Sequence, residues 1–137
     1  MAEQTAHAHA MPAPGTFCWN ELATTNLEAA KKFYTELFGW KLKESQAAGM
    51  IYNEIVAAGR EIGGMYQMGA ECGDTSDAPS HWMSYIAVDD VDAKAKQVEE
   101  LGGKVCVPPT DIPNVGRFCV INDPTGATLS LVKLQGE

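Results

Sequence analysis

Glu21 is the side chain best placed to do chemistry. It stands two positions after Trp19 in the apolar-rich run Phe17–Ala23. Side chains alternate faces along a strand, so this indole and carboxylate point the same way. A carboxylate on a buried strand face is costly unless it is paired or used. If burial raises its pKa, Glu21 can serve as a general base; otherwise it can orient an amine or a hydroxyl. Trp19 can stack a planar ligand or hold a cation over its ring. The same spacing recurs in His81, Met83 and Tyr85, an imidazole, a thioether and a phenol on one strand face. Glu21 and His81 together make one carboxylate and one imidazole, short of the three protein ligands of a catalytic zinc. No native metal site or other cofactor is therefore expected, with a divalent ion on His81 and Glu21 as the alternative. Against these readings stand plainer ones: Trp19 and Met83 as packing, and Glu21 accepting from neighbouring backbone N–H groups. No nucleophile–base pair occurs at a recognisable spacing. Arg117, beside a proline-rich loop, can grip an anion or simply be solvated.

A repeat positions these residues. Trp19–Lys41 returns as Met83–Val105 without a gap, at a shift of 83 − 19 = 64 residues. Ala23 matches Ala87, Lys32 matches Lys96, Glu36 matches Glu100 and Gly39 matches Gly103. A fixed shift with matching punctuation indicates one structural unit used twice. Each copy reads strand, cap, helix, glycine stop, strand. Thr25 with Glu28, and Asp89 with Asp92, have capping-box spacing. Leu27, Ala30, Phe33, Tyr34, Leu37 and Phe38 recur at helical spacing, as do Val91, Ala95, Val98 and Leu101. Gly39 and Gly102-Gly103 stop the helices.

After the first helix, strands are expected at Trp40–Glu44, Met50–Ala57 and Ile62–Met68, with a turn at Ser45–Gly49. In the second copy Lys104–Val107 is a strand cut by Pro108-Pro109. A loop follows to Val115, then strands at Gly116–Asn122 and Ala127–Leu134 around the turn Asp123-Pro124-Thr125-Gly126. Both copies are thus βαβββ. The domain plan is a tail at 1–15, a first unit at 16–68, a linker at 69–80 rich in Gly, Asp, Ser and Pro, and a second unit at 81–134. The two units together make one domain, and Trp40 and Trp82 are expected to be packing.

A formal charge of −8 with only two arginines excludes a basic patch for nucleic acid or an anionic membrane. No apolar run reaches membrane-spanning length, and the N-terminus lacks a secretory pattern. The four cysteines form no C-x-x-C pair. They are expected to be free thiols in a reducing cytoplasm, three of them packed in strands.

Two βαβββ units, FYTELFGW at the first helix end and DPTG before the last strand resemble the vicinal-oxygen-chelate superfamily of glyoxalases, bleomycin-resistance proteins and extradiol dioxygenases. The W-N-E-L start and the H-W-M-S-Y opening resemble its small glyoxalase-like members labelled hydroxylases. The resemblance implies an α+β fold, its tandem units forming an open, curved, barrel-like sheet around a shared cleft. It implies a homodimer, and a divalent ion held by His and Glu from both halves. On the helix caps, those ligand positions fall on Trp19, Met83 and Ser130, and near Gly64. None suits a hard cation. What remains is a cleft lined by Trp19, Glu21, Met83, Tyr85 and Ser130.

The expected function is therefore metal-free binding of a small, partly aromatic molecule in that cleft. Alternatives are a metal-free enzyme with Glu21 and Tyr85 as base and acid, a metal-dependent lyase, isomerase or dioxygenase with shifted ligands, and a non-catalytic partner protein. Whether the chain is an enzyme stays open at this point.

Overall fold

The computed structural model describes residues 12–47, 50–68, 79–112 and 115–135. Residues 69–78 of the expected linker, with Cys72, most of the N-terminal tail with His7 and His9, and the tip of the turn after Ser45 lie outside them. The elements are β1 (Phe17–Thr24), α1 (Leu27–Phe38), β2 (Lys41–Ala47), β3 (Met50–Ala57), β4 (Arg60–Gln67), β5 (His81–Ala87), α2 (Val91–Glu100), β6 (Lys104–Ile112), β7 (Gly116–Asn122) and β8 (Thr128–Leu134). This is βαβββ twice, an α+β chain. Neither helix is long and apolar enough to cross a membrane.

Two compact units result: Trp19–Met83, and Ser84–Glu137 together with Met1–Cys18. The first unit's strands run in the order β2-β3-β4-β1, the second's β5-β8-β7-β6. Each unit closes on a parallel pair, β1 with β4 and β5 with β8, and is otherwise antiparallel. Gly15 N–H donates to the Ala87 carbonyl and Ala87 N–H to the Thr16 carbonyl, which ties the segment before β1 into the second unit.

The caps repeat at the sequence shift, one residue later than the capping-box spacing indicates. Asn26 accepts from Ala29 N–H and Asp90 from Ala93 N–H, and 90 − 26 = 64. Their short side chains satisfy an orphan N–H of the first turn. Thr25 is instead tied outside the helix, its N–H donating to Ser80 Oγ at 2.9 Å. Gly39 closes α1 in the left-handed region at φ 71°.

The predicted apolar face of α1 splits. Leu27, Ala30 and Tyr34 pack with Trp40 and Leu42 onto buried Leu22, Ile55 and Met65, whereas Phe33, Leu37 and Phe38 stay more than half exposed. In the second unit Val91 and Ala95 reach the core with Cys119 and Leu131, and Leu101, past the helix end, is exposed. Each fully buried Ile or Met contributes about 1.5–3 kcal/mol over its exposed state.

β2 runs to Ala47, three residues into the turn expected at Ser45–Gly49, and β6 also exceeds its predicted length. β6 continues through Pro108-Pro109 to Ile112, where a break and a loop are expected. β6 is the last strand of its sheet, so prolines cost it no ladder bond on the open side. Its register shifts between Val107 and Thr110 absorb them.

Candidate functional site

Leu22, Ile55 and Met65 face α1. By alternation Trp19, Glu21, Tyr52, Gly64 and Tyr66 lie on the helix-free face of the first unit's sheet. There the indole N–H of Trp19 donates to the Tyr52 hydroxyl at 2.9 Å, and that hydroxyl donates to Glu21 Oε2 at 2.8 Å. The sequence indicated Trp19 and Glu21 but not Tyr52. Tyr52 comes from β3, and only the sheet order β3-β4-β1 carries its ring across β4 to reach β1. The signal that marks it is Gly64. Glu21 and Gly64 are register partners, and a β-carbon on Gly64 would collide with the Tyr52 hydroxyl and ring. A glycine inside a strand often marks such a close approach.

Burial first, then the Glu21 charge, push the Tyr52 phenol well above the ordinary tyrosine value, against the opposing Trp19 bond. Tyr52 therefore stays protonated, and its single proton is committed to Glu21. The carboxylate is held in a fixed direction by a charge-assisted bond. Tyr66 stacks beside Tyr52 with ring centroids 6.5 Å apart and planes at 23°. Burial, then the Glu61 charge and hydrogen bond, raise the Glu54 pKa, with Lys43 opposing.

The other predicted residues fall as follows. His81 turns Nδ1 to the Pro79 carbonyl at 2.9 Å, which accounts for its ring as a loop anchor. Met83 is half-buried on β5. Tyr85 is the register partner of Ser130 in the second unit. Ser130 is fully buried, and its Oγ has no hydrogen-bond partner among the described residues. Trp82 donates to the Tyr34 hydroxyl at 3.3 Å and meets Trp40 edge-on, so both indoles pack, although Trp82 stays partly exposed. Arg117 is clamped by both Asp92 oxygens, at 2.8 and 2.9 Å, and by Asp111 at 2.9 Å. Its anion-gripping capacity is thereby taken. Cys18, Cys106 and Cys119 are free thiols on strands, and burial raises the pKa of Cys18 and Cys119.

The family resemblance implies an ion, and the residues at its positions do not fit one. Trp19 and Met83 offer no hard donor and Ser130 only a neutral hydroxyl. The space a side chain at 64 would need is filled by Tyr52. Among the described residues no three His, Cys, Asp or Glu gather.

The chain matches the profile of the Glyoxalase/Bleomycin resistance protein/Dioxygenase superfamily over residues 8–131. It is 40% identical over 120 residues to "Putative glyoxylase CFP32" of Mycobacterium tuberculosis, covering 87% of this chain and 44% of that protein. It is 31% identical over 131 residues to "Anthracycline biosynthesis protein DnrV" of Streptomyces peucetius, covering 87% and 47%. The chain thus spans less than half the length of these curated relatives. Among solved structures, methylmalonyl-CoA epimerase from Mycobacterium tuberculosis superposes with a TM-score of 0.63 at 16% identity, over 94% of this chain and 95% of that one. The fold is thus shared at low identity, and the residues that distinguish this chain are its own. By its sequence match the chain belongs to the glyoxalase/bleomycin resistance protein/dioxygenase superfamily.

Proposed function

We propose that this chain binds a small, partly aromatic molecule on the helix-free face of its first unit, without the family's metal ion. The observation that carries the reading is the Trp19–Tyr52–Glu21 chain of hydrogen bonds. It presents two fixed rings and an oriented carboxylate, the mix of apolar wall and few polar groups common in ligand sites. A relative named for anthracycline biosynthesis is in keeping with a planar ligand. Met83, within the same unit, is the further contact this reading expects, and a homodimer in the cytoplasm is its expected assembly and location. The test is quenching of tryptophan fluorescence by a series of planar aromatic compounds. Saturable quenching that Trp19→Phe removes supports the reading; quenching that survives the substitution unchanged overturns it.

A second reading draws on the same carboxylate. A base works best when its geometry is fixed, and Tyr52 fixes Glu21. In a metal-free enzyme Glu21 would abstract a proton from the bound compound. Turnover of a bound compound that is lost in Glu21→Gln, with binding retained, would favour this over simple binding.

A further inference from the structure

The outward flank of α1 is apolar. Phe33 and Leu37, one turn apart, are each 57% exposed, and Ala29, a turn earlier, is exposed as well. Residues four apart make one ridge on a helix, the row that most often packs into a second helix. Tyr34 widens the patch. Its ring meets Phe33 edge-on at 5.0 Å and Trp82, itself 43% exposed, at 5.5 Å. Single exposed apolar residues are ordinary, whereas a contiguous set marks an interaction surface.

The charges beside the ridge identify what it meets. The chain as a whole has a formal charge of −8, which repels a second copy. On α1 the signs cancel: Lys31 pairs with Glu28 at 3.5 Å and Lys32 with Glu36 at 2.6 Å. Lys32 and Glu36 are exposed and border Phe33 and Leu37 on one side. A twofold axis beside the helix, level with Tyr34, sets two copies of α1 antiparallel. Positions 32 and 36 are equally far from 34, so Lys32 of each copy lies level with Glu36 of the other. The two Phe33 side chains are then offset by only about 3 Å along the helices. The patch is complementary to itself, as a twofold interface requires.

We propose that this flank of α1 docks a second copy of the chain, α1 against α1 in antiparallel. Phe33 and Leu37 form the centre, and Lys32 and Glu36 exchange partners at the rim. It rests on the homodimer expected above and gives that homodimer a surface; the aromatic-ligand site is separate from it. One helix flank is small beside the roughly 800 Å² per partner of a standard interface, so dissociation falls in the micromolar range.

Sedimentation velocity of the intact chain, from about 1 to 300 µM, tests it. The native chain is expected to dimerise within that range. Phe33→Glu should raise the dissociation constant at least about tenfold, as loss of a central aromatic anchor does. Leu37→Lys is a second variant with the same expected direction, and circular dichroism checks that each variant is folded. Lys32→Glu and Glu36→Lys keep the apolar centre but set like charges against each other, so each alone should weaken the dimer about fivefold. Mixed in equal amounts, these two variants pair opposite charges at both ends and should associate within about twofold of the native chain. A native chain that stays monomeric overturns the homodimer and its surface together. A native dimer that Phe33→Glu and Leu37→Lys leave unchanged overturns the surface and keeps the homodimer. A mixture no tighter than either charge variant alone overturns the antiparallel pairing.

Discussion

The phenol of Tyr52 occupies the volume that a β-carbon on Gly64 would need. Near the position where the family resemblance expects an ion-binding side chain, this chain has Gly64, overlain by Tyr52 from a neighbouring strand. Gly64→Ala therefore pushes Tyr52 off Glu21. The expected loss is about 1–3 kcal/mol, as for overpacking elsewhere, read from chemical denaturation. In a Tyr52→Ala background the same substitution should cost little. A coupling of more than about 1 kcal/mol in that cycle supports the steric pairing; additive effects would refute it.

Alkaline titration examines Tyr52 from another side. Its proton is held more tightly in the folded state than in the unfolded chain. Above about pH 10 the unfolded chain gives up that proton first, so the unfolded state binds fewer protons and stability falls as pH rises. Below that pH the contribution is complete. Stability measured by urea at pH 9 to 11 (about one unit either side of the tyrosine value) should fall more steeply for the native chain than for Tyr52→Phe. Parallel curves would show that Tyr52 ionises as an ordinary surface phenol.

The helix starts separate two nearby residues. Asn26 and Asp90 cap α1 and α2, so Asn26→Ala and Asp90→Ala should each cost about 1 kcal/mol. Asp89, one residue outside its cap, should cost clearly less when replaced by alanine. Thermal midpoints of the three variants decide it, and an Asp89 variant as damaged as Asp90→Ala would restore the capping-box assignment.

Much of this fold is legible in the residues. The 64-residue shift, the glycine stops and the period of the apolar positions mark both βαβββ units, because these features act locally along the chain. The caps are displaced by one residue because Asn26 and Asp90 compete with equally plausible neighbours, and a single hydrogen bond decides between them. β6 is hidden by Pro108-Pro109, since its tolerance for prolines follows from lying at the end of a sheet, a property of strand order alone. The same holds for the site. Trp19 and Glu21 are visible from an i, i+2 spacing, but Tyr52 stands 31 residues from Glu21. No periodicity links positions on β3 and β1; only the order of the strands does.

Asp123 shows how far a local pattern can reach. Its Oδ1 accepts from Thr125 N–H at 2.8 Å, Thr125 Oγ1 at 2.7 Å and Ala127 N–H at 3.1 Å. These bonds, the Thr125 hydroxyl first, hold its carboxyl below the ordinary aspartate value. Carbon NMR should find its midpoint below that of a solvated aspartate. Protonation in acid weakens the turn, so the contribution is present above the unfolded value and lost as pH falls through the folded one. In Asp123→Asn the acid branch of the stability curve should flatten; an unchanged branch would remove the turn from the account.

A bound ion stabilises a fold by mass action, about 2.7 kcal/mol at a hundredfold excess over its dissociation constant. At the positions where the family resemblance places ligands, this chain has an indole, a thioether, a buried hydroxyl and a glycine overlain by Tyr52. His81 has turned a ring nitrogen to the Pro79 carbonyl. Protein prepared without a histidine tag should therefore keep its thermal midpoint on dialysis against a chelator. Millimolar Mn2+ or Ni2+ should raise it by no more than the scatter between replicates. Because His7 and His9 can capture Ni2+ on their own, the comparison is made with both replaced by alanine. A midpoint that drops with chelator and returns with one ion, and does so only while Glu21 and His81 are intact, would put a metal on that pair and displace the metal-free reading.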